Sequence, residues 1–194
     1  MKTRARGRPR DAEIDRKVLD AARELLAKEG YRGLAFDTLS QITNIPRSMI
    51  YRRWPTRVHL ANEISTGGGG ELPDIIDREG LEAQILELVR QILGRYSRAD
   101  IGSATVGLIA DTLGNPELQT ELQAETEAHA RAGLASITAR GKAAGLIADD
   151  IESDTLFDML VGTLIYRALF SLEPVPSSYP ESVTRIIVDG LTRR

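Results

Sequence analysis

Two short helical runs in the first third of this 194-residue chain leave few choices for its fold. The first starts at Asp37 or Thr38, which can cap it, and ends near Thr43; the second starts at Pro46 and ends near Arg53. Between them, Asn44 stands where a left-handed turn residue is needed, and asparagine tolerates that conformation better than most residues. Pro46 suits the first position of the second run, where a missing N–H costs little. Leu39, Ile42, Ile45, Ile50 and Trp54 form one apolar set, and Arg47, Ser48, Arg52 and Arg53 form the polar set between them. Helix, tight break, short helix is the spacing of a helix-turn-helix. In such a unit one side anchors in a three-helix core while the other lies in a DNA major groove about 12 Å wide.

The preceding segment supplies the third helix. Ile14, Val18, Ala21, Ala22 and Leu25 recur at helical spacing, with Gly30 as the expected stop. Asp11 and Glu13 suit its start and Lys28 its end, because they oppose the helix dipole. Pro55 breaks the chain, and a fourth helix is expected from about Thr56. Residues 65–73, with four successive glycines, read as a linker. After it, helical segments are expected near 79–96, 100–113, 117–144, 153–171 and 179–192, separated by Gly114-Asn115-Pro116, Gly145 and the stretch from Pro174 to Pro180. No alternating apolar/polar run bounded by hairpin turns occurs, so the chain is expected to be all-α, with about nine helices. The expected domains are a flexible basic arm over 1–10, a helix-turn-helix domain over 11–60 and a helical body over 61–194.

Charge divides along the same line. Residues 1–60 carry 14 Lys/Arg against 7 Asp/Glu, a net of +7; the rest carries 11 against 21, a net of -10. A basic first third on an acidic body points to a polyanion-binding module. In the arm, Arg6-Gly7-Arg8-Pro9 resembles the core of an AT-hook, a segment that lies extended in a narrow minor groove.

Other function classes find little support. The chain has no cysteine, which removes thiolate chemistry, disulfides and cysteine metal sites, and only two histidines, His59 and His129. The acidic group Asp149, Asp150, Glu152, Asp154 and Asp158 lacks calcium-loop spacing and reads as caps and dipole partners of the next helix. No nucleophile elbow or phosphate loop is present, so no enzyme, metal or cofactor is expected. The basic N-terminus is followed by no long apolar run, and no apolar stretch is long enough to span a bilayer; neither a signal peptide nor a membrane segment is expected.

Residues 14–60 resemble the N-terminal domain of the TetR family of transcriptional regulators. Gly30-Tyr31, Leu39-Ser40, Asn44-Ile45-Pro46, Ile50-Tyr51, Trp54 and Arg57 fall on the family's glycine-aromatic, Ile-Ala, Gly-Val-Ser, Leu-Tyr, Phe and Lys positions in order and spacing. Ser40, Thr43, Asn44, Pro46 and Arg53 depart from the usual residues, and Ala35 lacks the hydroxyl usual near the second helix. The resemblance implies a homodimeric cytoplasmic regulator, most simply a repressor, that binds an inverted repeat in double-stranded DNA and is released by a small apolar or amphipathic effector. It implies base contacts from Arg47, Ser48 and Arg52, and phosphate contacts from Tyr51, Arg53, Thr56 and Arg57. Thr38, Arg6 and Arg8 complete the expected DNA-binding set.

In the body, 156–172 is apolar nearly all round, so it is expected to be covered on every side, one side by the same helix of a second subunit. The expected dimer interface is Leu156, Leu160, Thr163, Leu164, Arg167, Ile186 and Ile187. Candidate effector contacts are Leu88, Ile92, Tyr96, Leu108, Leu122, His129 and Tyr166, although ordinary core packing, or for His129 a surface position, accounts for each of them more simply. Two other classes remain: an architectural protein that binds AT-rich DNA through the arm without an effector, and a small-molecule sequestering protein with a vestigial DNA head.

Overall fold

The computed structural model describes residues 12–66 and 80–192. The arm at 1–10, including Arg6 and Arg8, and the glycines at 67–70 lie outside them. The described residues form nine helices and no strand: α1 (Ala12–Gly33), α2 (Phe36–Thr43), α3 (Arg47–Tyr51), α4 (Arg57–Thr66), α5 (Gly80–Tyr96), α6 (Ala99–Thr112), α7 (Pro116–Ala143), α8 (Ser153–Leu169) and α9 (Tyr179–Leu191).

The breaks have local causes. Gly30 adopts φ 69° and interrupts α1, and the chain then makes one more turn to Gly33. Asn44 closes α2 at φ 56° and ψ 30°, the left-handed conformation its position demands. Asn115 caps α7 by accepting a hydrogen bond from the Leu118 N–H at 3.2 Å, with Pro116 at the first turn. Two expectations about helix starts need correction. Ala35, not Asp37 or Thr38, is the residue before α2, and it offers no side-chain cap. Pro46 stands one place before α3, extended at ψ 137°, and its carbonyl accepts the N–H of Met49 at 2.8 Å.

Two apolar cores form. The first gathers Val18, Ala22 and Leu26 of α1, Leu39 of α2, Ile45, Ile50, Trp54, and Leu60 and Ile64 of α4, and it takes in Ala104 of α6. The second joins Leu81, Ile85, Leu88 and Leu93 of α5 to Leu134 of α7, Leu156, Leu160 and Leu164 of α8, and Val183 and Leu191 of α9. Each fully buried leucine or isoleucine contributes about 1.5–3 kcal/mol of apolar transfer. Helix α4 runs across position 60/61, and α6 packs along both α1 and α4. The head is therefore seated on the body through α6. Ile42 does not belong to the first core. It is 58% exposed, because Ile45 and Leu39 already fill the inward side of that corner.

Candidate nucleic-acid interface

The corner between α2 and α3 is held by short-range polar bonds. The Ser40 hydroxyl donates to the Ile45 carbonyl at 2.7 Å, and the Thr43 hydroxyl donates to the Leu39 carbonyl at 2.6 Å. The first satisfies a carbonyl in the turn beyond α2, and the second is a side-chain bond back onto the preceding turn of α2. Ile50 and Trp54 anchor α3 from behind, and the Trp54 indole N–H donates to Glu63 at 2.6 Å, tying α3 to α4. With Ile50 buried, the other sides of this five-residue helix turn outward, and Arg47, Ser48, Tyr51 and Arg52 are exposed there together.

Each expected contact residue has a distinct setting. Arg47 Nη2 lies 2.6 Å from Asp37 Oδ2, an ion pair that joins the first residue of α3 to the first turn of α2. Tyr51 rests its ring edge-on against Phe36, 4.8 Å between centroids, and is half exposed. That combination leaves the hydroxyl end at the surface. Thr38 is half-buried on α2, and the Thr56 hydroxyl lies 2.9 Å from His59 Nδ1 at the head of α4. Arg53 has a different task from the phosphate contact expected of it. Its guanidinium is turned inward, bonded to Asp15 of α1 and donating to the Met49 carbonyl at 3.2 Å, with its side chain 8% exposed. A nearly buried arginine paired to a carboxylate locks α3 to α1 and has little surface for DNA.

Arg57 sits at the seam of head and body. Its guanidinium lies 4.6 Å from the centre of the Tyr31 ring, and its Nε is 3.4 Å from Asp111 of α6. The Tyr31 hydroxyl donates to the same carboxylate at 2.6 Å. Burial, with help from this bond to an anion, pushes the Tyr31 hydroxyl above the usual tyrosine range, so it stays protonated and donating. Gly107 makes the arrangement possible, since a Cβ there would fall 2.1 Å from the Tyr31 ring. At the other end of α6, Asp100 is buried between Arg23 of α1, at 3.0 Å, and Arg98, at 2.9 Å. Burial opposes its charge, but the bonds from Arg98 and Arg23 outweigh it and hold the carboxyl below its ordinary range. Sequence reading missed Asp100, Asp111 and Gly107, and took Asp37 for a helix cap rather than a partner of Arg47. Asp111 lies 80 residues from Tyr31, and no local pattern links them.

The body residues singled out as effector contacts scatter. Leu88 and Leu108 are buried, Ile92 and Leu122 are half-buried, and His129 and Tyr166 are exposed, Tyr166 by 64%. Tyr96 alone of the seven lines an open groove of about 360 Å³, which also includes Tyr31, Ser97, Arg98, Gly102 and Val106. The expected dimer residues divide as well. Leu156, Leu160 and Leu164 are buried in their own chain, which leaves them no surface for a partner. Arg167 is half-buried and donates to the Ser171 hydroxyl at 2.7 Å and the Pro174 carbonyl at 2.6 Å; Ile187 is half-buried, while Thr163 and Ile186 are exposed. The 156–172 stretch is thus not covered on every side by its own chain: Met159, Tyr166 and Phe170 are more than half exposed. Asp154 and Asp158 meet Arg131 at 3.3 and 2.8 Å, which accounts for those two acids as ion pairs. Among the described residues no group of three or more acids and histidines is arranged to hold a metal ion, and no helix is long and apolar enough to cross a membrane.

Comparison with known proteins bears on both halves. Residues 18–64 match the family model of bacterial regulatory proteins, tetR family, and residues 75–187 match that of the tetracyclin repressor-like C-terminal domain. An HTH-type transcriptional regulator of Mycobacterium bovis, Mb1581, is 25% identical over 189 residues, covering 95% of this chain and 89% of its own. YdeS of Bacillus subtilis, also an HTH-type transcriptional regulator, is 23% identical over 176 residues, 90% of this chain and 87% of its own. Among solved structures, the TetR family transcription regulator SCO0332 superposes with a TM-score of 0.69 at 24% identity, over 93% of this chain and all of its own. Salmonella enterica GusR does so with a TM-score of 0.71 at 17% identity, over 94% and 96% of the two chains. At these identities the structures establish a shared fold.

Proposed function

The chain belongs to the tetR family of bacterial regulatory proteins, which are DNA-binding transcriptional regulators, and from that premise we propose that it is a homodimeric repressor, released from an inverted-repeat operator by a small apolar or amphipathic effector. One observation carries the DNA-binding part of this reading. A buried anchor, Ile50 and Trp54, turns Arg47, Ser48, Tyr51 and Arg52 outward together on the recognition helix. Arginine there donates to guanine through two N–H groups, while Tyr51, Thr56 and Arg57 suit phosphate oxygens.

The dimer reading rests on the outer side of α8. Met159, Thr163, Tyr166 and Phe170 recur at helical spacing along it, all exposed, and exposed Ile186 lies on α9. A second copy pairing through this stripe would present two recognition helices to one duplex, one helical turn or a multiple apart. Effector release fits the seam: α6 touches the head at both ends, through Asp100 and Asp111, so a ligand that shifts α6 would reorient the head. Such a regulator acts in the cytoplasm by binding and catalyses nothing.

Titration of the full chain with a palindromic duplex selected from random DNA, against a scrambled duplex, tests the reading. The expected preference is about a thousandfold or more. A preference below about tenfold, near 1.4 kcal/mol, overturns it in favour of an architectural DNA protein.

A further inference from the structure

We propose that Asp37 is a specificity-determining residue of the DNA interface: it holds Arg47 so that the guanidinium is offered to a guanine base edge, and it penalises complexes in which Arg47 grips phosphate instead. The inference rests on the operator-binding reading above.

The geometry begins with the backbone. Pro46, with φ −56° and ψ 137°, delivers the chain into α3, so Arg47 occupies the first turn of the recognition helix. In helix-turn-helix docking, the N-terminal residues of that helix reach base edges. Asp37 lies in the first turn of α2, and its Oδ2 stands 2.6 Å from Arg47 Nη2. The pair therefore spans the two helices at the place where the unit meets the groove.

A carboxylate here has a cost. Double-stranded DNA carries one negative charge per about 1.7 Å, and the neighbouring outward side chains, Arg47 and Arg52, favour it. Two structural explanations for Asp37 are insufficient. As an ion pair it stabilises the fold little, because the two side chains are 56% and 55% exposed. As an acid in the first turn of α2 it complements the helix dipole, but that task does not require Arg47.

The chemistry of the pair supplies a reason. Guanidinium has five N–H donors on a rigid planar fork. One Nη engaged by Asp37 leaves other donors for the N7 and O6 acceptors of guanine. An arginine already held in place loses less freedom on binding than one that must be ordered. For Arg47 to grip phosphate instead, it must leave Asp37 or carry that carboxylate towards the phosphate, so the cost falls most on non-specific complexes, in which the guanidinium turns to the backbone. Discrimination rises from both directions.

The test uses the full chain, on a duplex selected from random DNA and on its variants with each G·C pair replaced in turn. Wild type should lose about 10- to 100-fold in affinity when one particular guanine per half-site is replaced. Asp37→Asn should shrink that loss to within about threefold at that guanine alone and bind an unrelated duplex several-fold tighter, and Arg47→Ala should abolish discrimination at the same position. Arg47→Ala with Asp37→Asn should then discriminate no less than Arg47→Ala alone. If Asp37→Asn instead changes affinity for every duplex by one common factor, Asp37 acts by repulsion or helix charge only and the proposal is overturned while the operator reading stands. If wild type selects no sequence at all, the operator reading fails, and this inference falls with it.

Discussion

Helices α3 and α8 both present a face that their own chain leaves uncovered, and the two faces are opposite in kind. Helix α3 has five residues, buries Ile50, and exposes Arg47, Ser48 and Tyr51, with Arg52 exposed at its C-cap. Helix α8 has 17 residues, buries Leu156, Leu160 and Leu164, and exposes Met159 and Tyr166, with Phe170 exposed at its C-cap. A cationic face rejects an apolar partner and recruits a polyanion; an apolar face does the reverse. The character of the bare face thus indicates what each region is built to meet. The seam on α6 differs from both, because its polar groups, Asp100 and Asp111, are already paired within the chain.

The largest effects should come from the cores behind the two faces. Leu39→Ala in the head and Leu160→Ala in the body each remove a fully buried side chain and should cost about 2–5 kcal/mol in urea unfolding. Because Ala104 of α6 packs in the head core, both variants should still unfold in one transition; two separated transitions would show that the regions are energetically independent. Next, Tyr166→Asp combined with Phe170→Asp should weaken self-association by about a hundredfold, near 2.7 kcal/mol, in analytical ultracentrifugation. The melting point should fall only by what the lost association contributed, and should match wild type at concentrations where both are single chains, since both rings are more than half exposed. An unaltered sedimentation profile would remove the stripe from the interface.

At the seam, Gly107→Ala should cost about 1–3 kcal/mol, because the added methyl meets the Tyr31 ring. Its operator affinity should fall more than that of Leu160→Ala at matched folded fraction, because the damage lies where the head is seated. The smallest effect is pH-dependent. Asp100 has a depressed carboxyl in the folded state, so its contribution is present above the ordinary carboxylate range, near pH 3.9, and is lost as pH falls through the folded value. Asp100→Asn should therefore cost about 1.5 kcal/mol at neutral pH and narrow its gap to wild type as the solution is acidified, read by thermal melts across the acid range. A gap constant with pH would mean that the charge is not what Asp100 contributes.

Much of the fold can be read from local pattern. The left-handed Asn44, the break at Gly30 and the cap at Asn115 follow from what those residues tolerate, and the nine helices follow from 3.6-residue periodicity between such breaks. The outward set on α3 follows the same way, because burying Ile50 and Trp54 fixes the opposite side. Ile42 and Arg53 mark the limit. Periodicity assigns a residue to a side of its helix without saying which neighbour already fills that side. A run of charge likewise cannot show which arginine finds a carboxylate on another helix. For α8 the composition is apolar on every side, so pattern alone could not separate Leu160, which packs on its own domain, from Tyr166, which does not.

What the amino-acid order determined unaided was much of what is governed by neighbours within a turn or two: where the chain runs as helix and where it breaks, the reach between α2 and α3, and the division of charge between head and body, though not the first residues of α2 and α3. Tertiary packing alone decided the contacts between residues far apart along the chain. It set Asp111 against Tyr31 and Arg57, brought Asp100 between Arg23 and Arg98, turned Arg53 inward onto Asp15, and left one side of α8 bare. The physical reason is that such contacts depend on how whole helices lie against one another, and that is settled by the sum of many apolar burials, none of which is written at the residue that benefits.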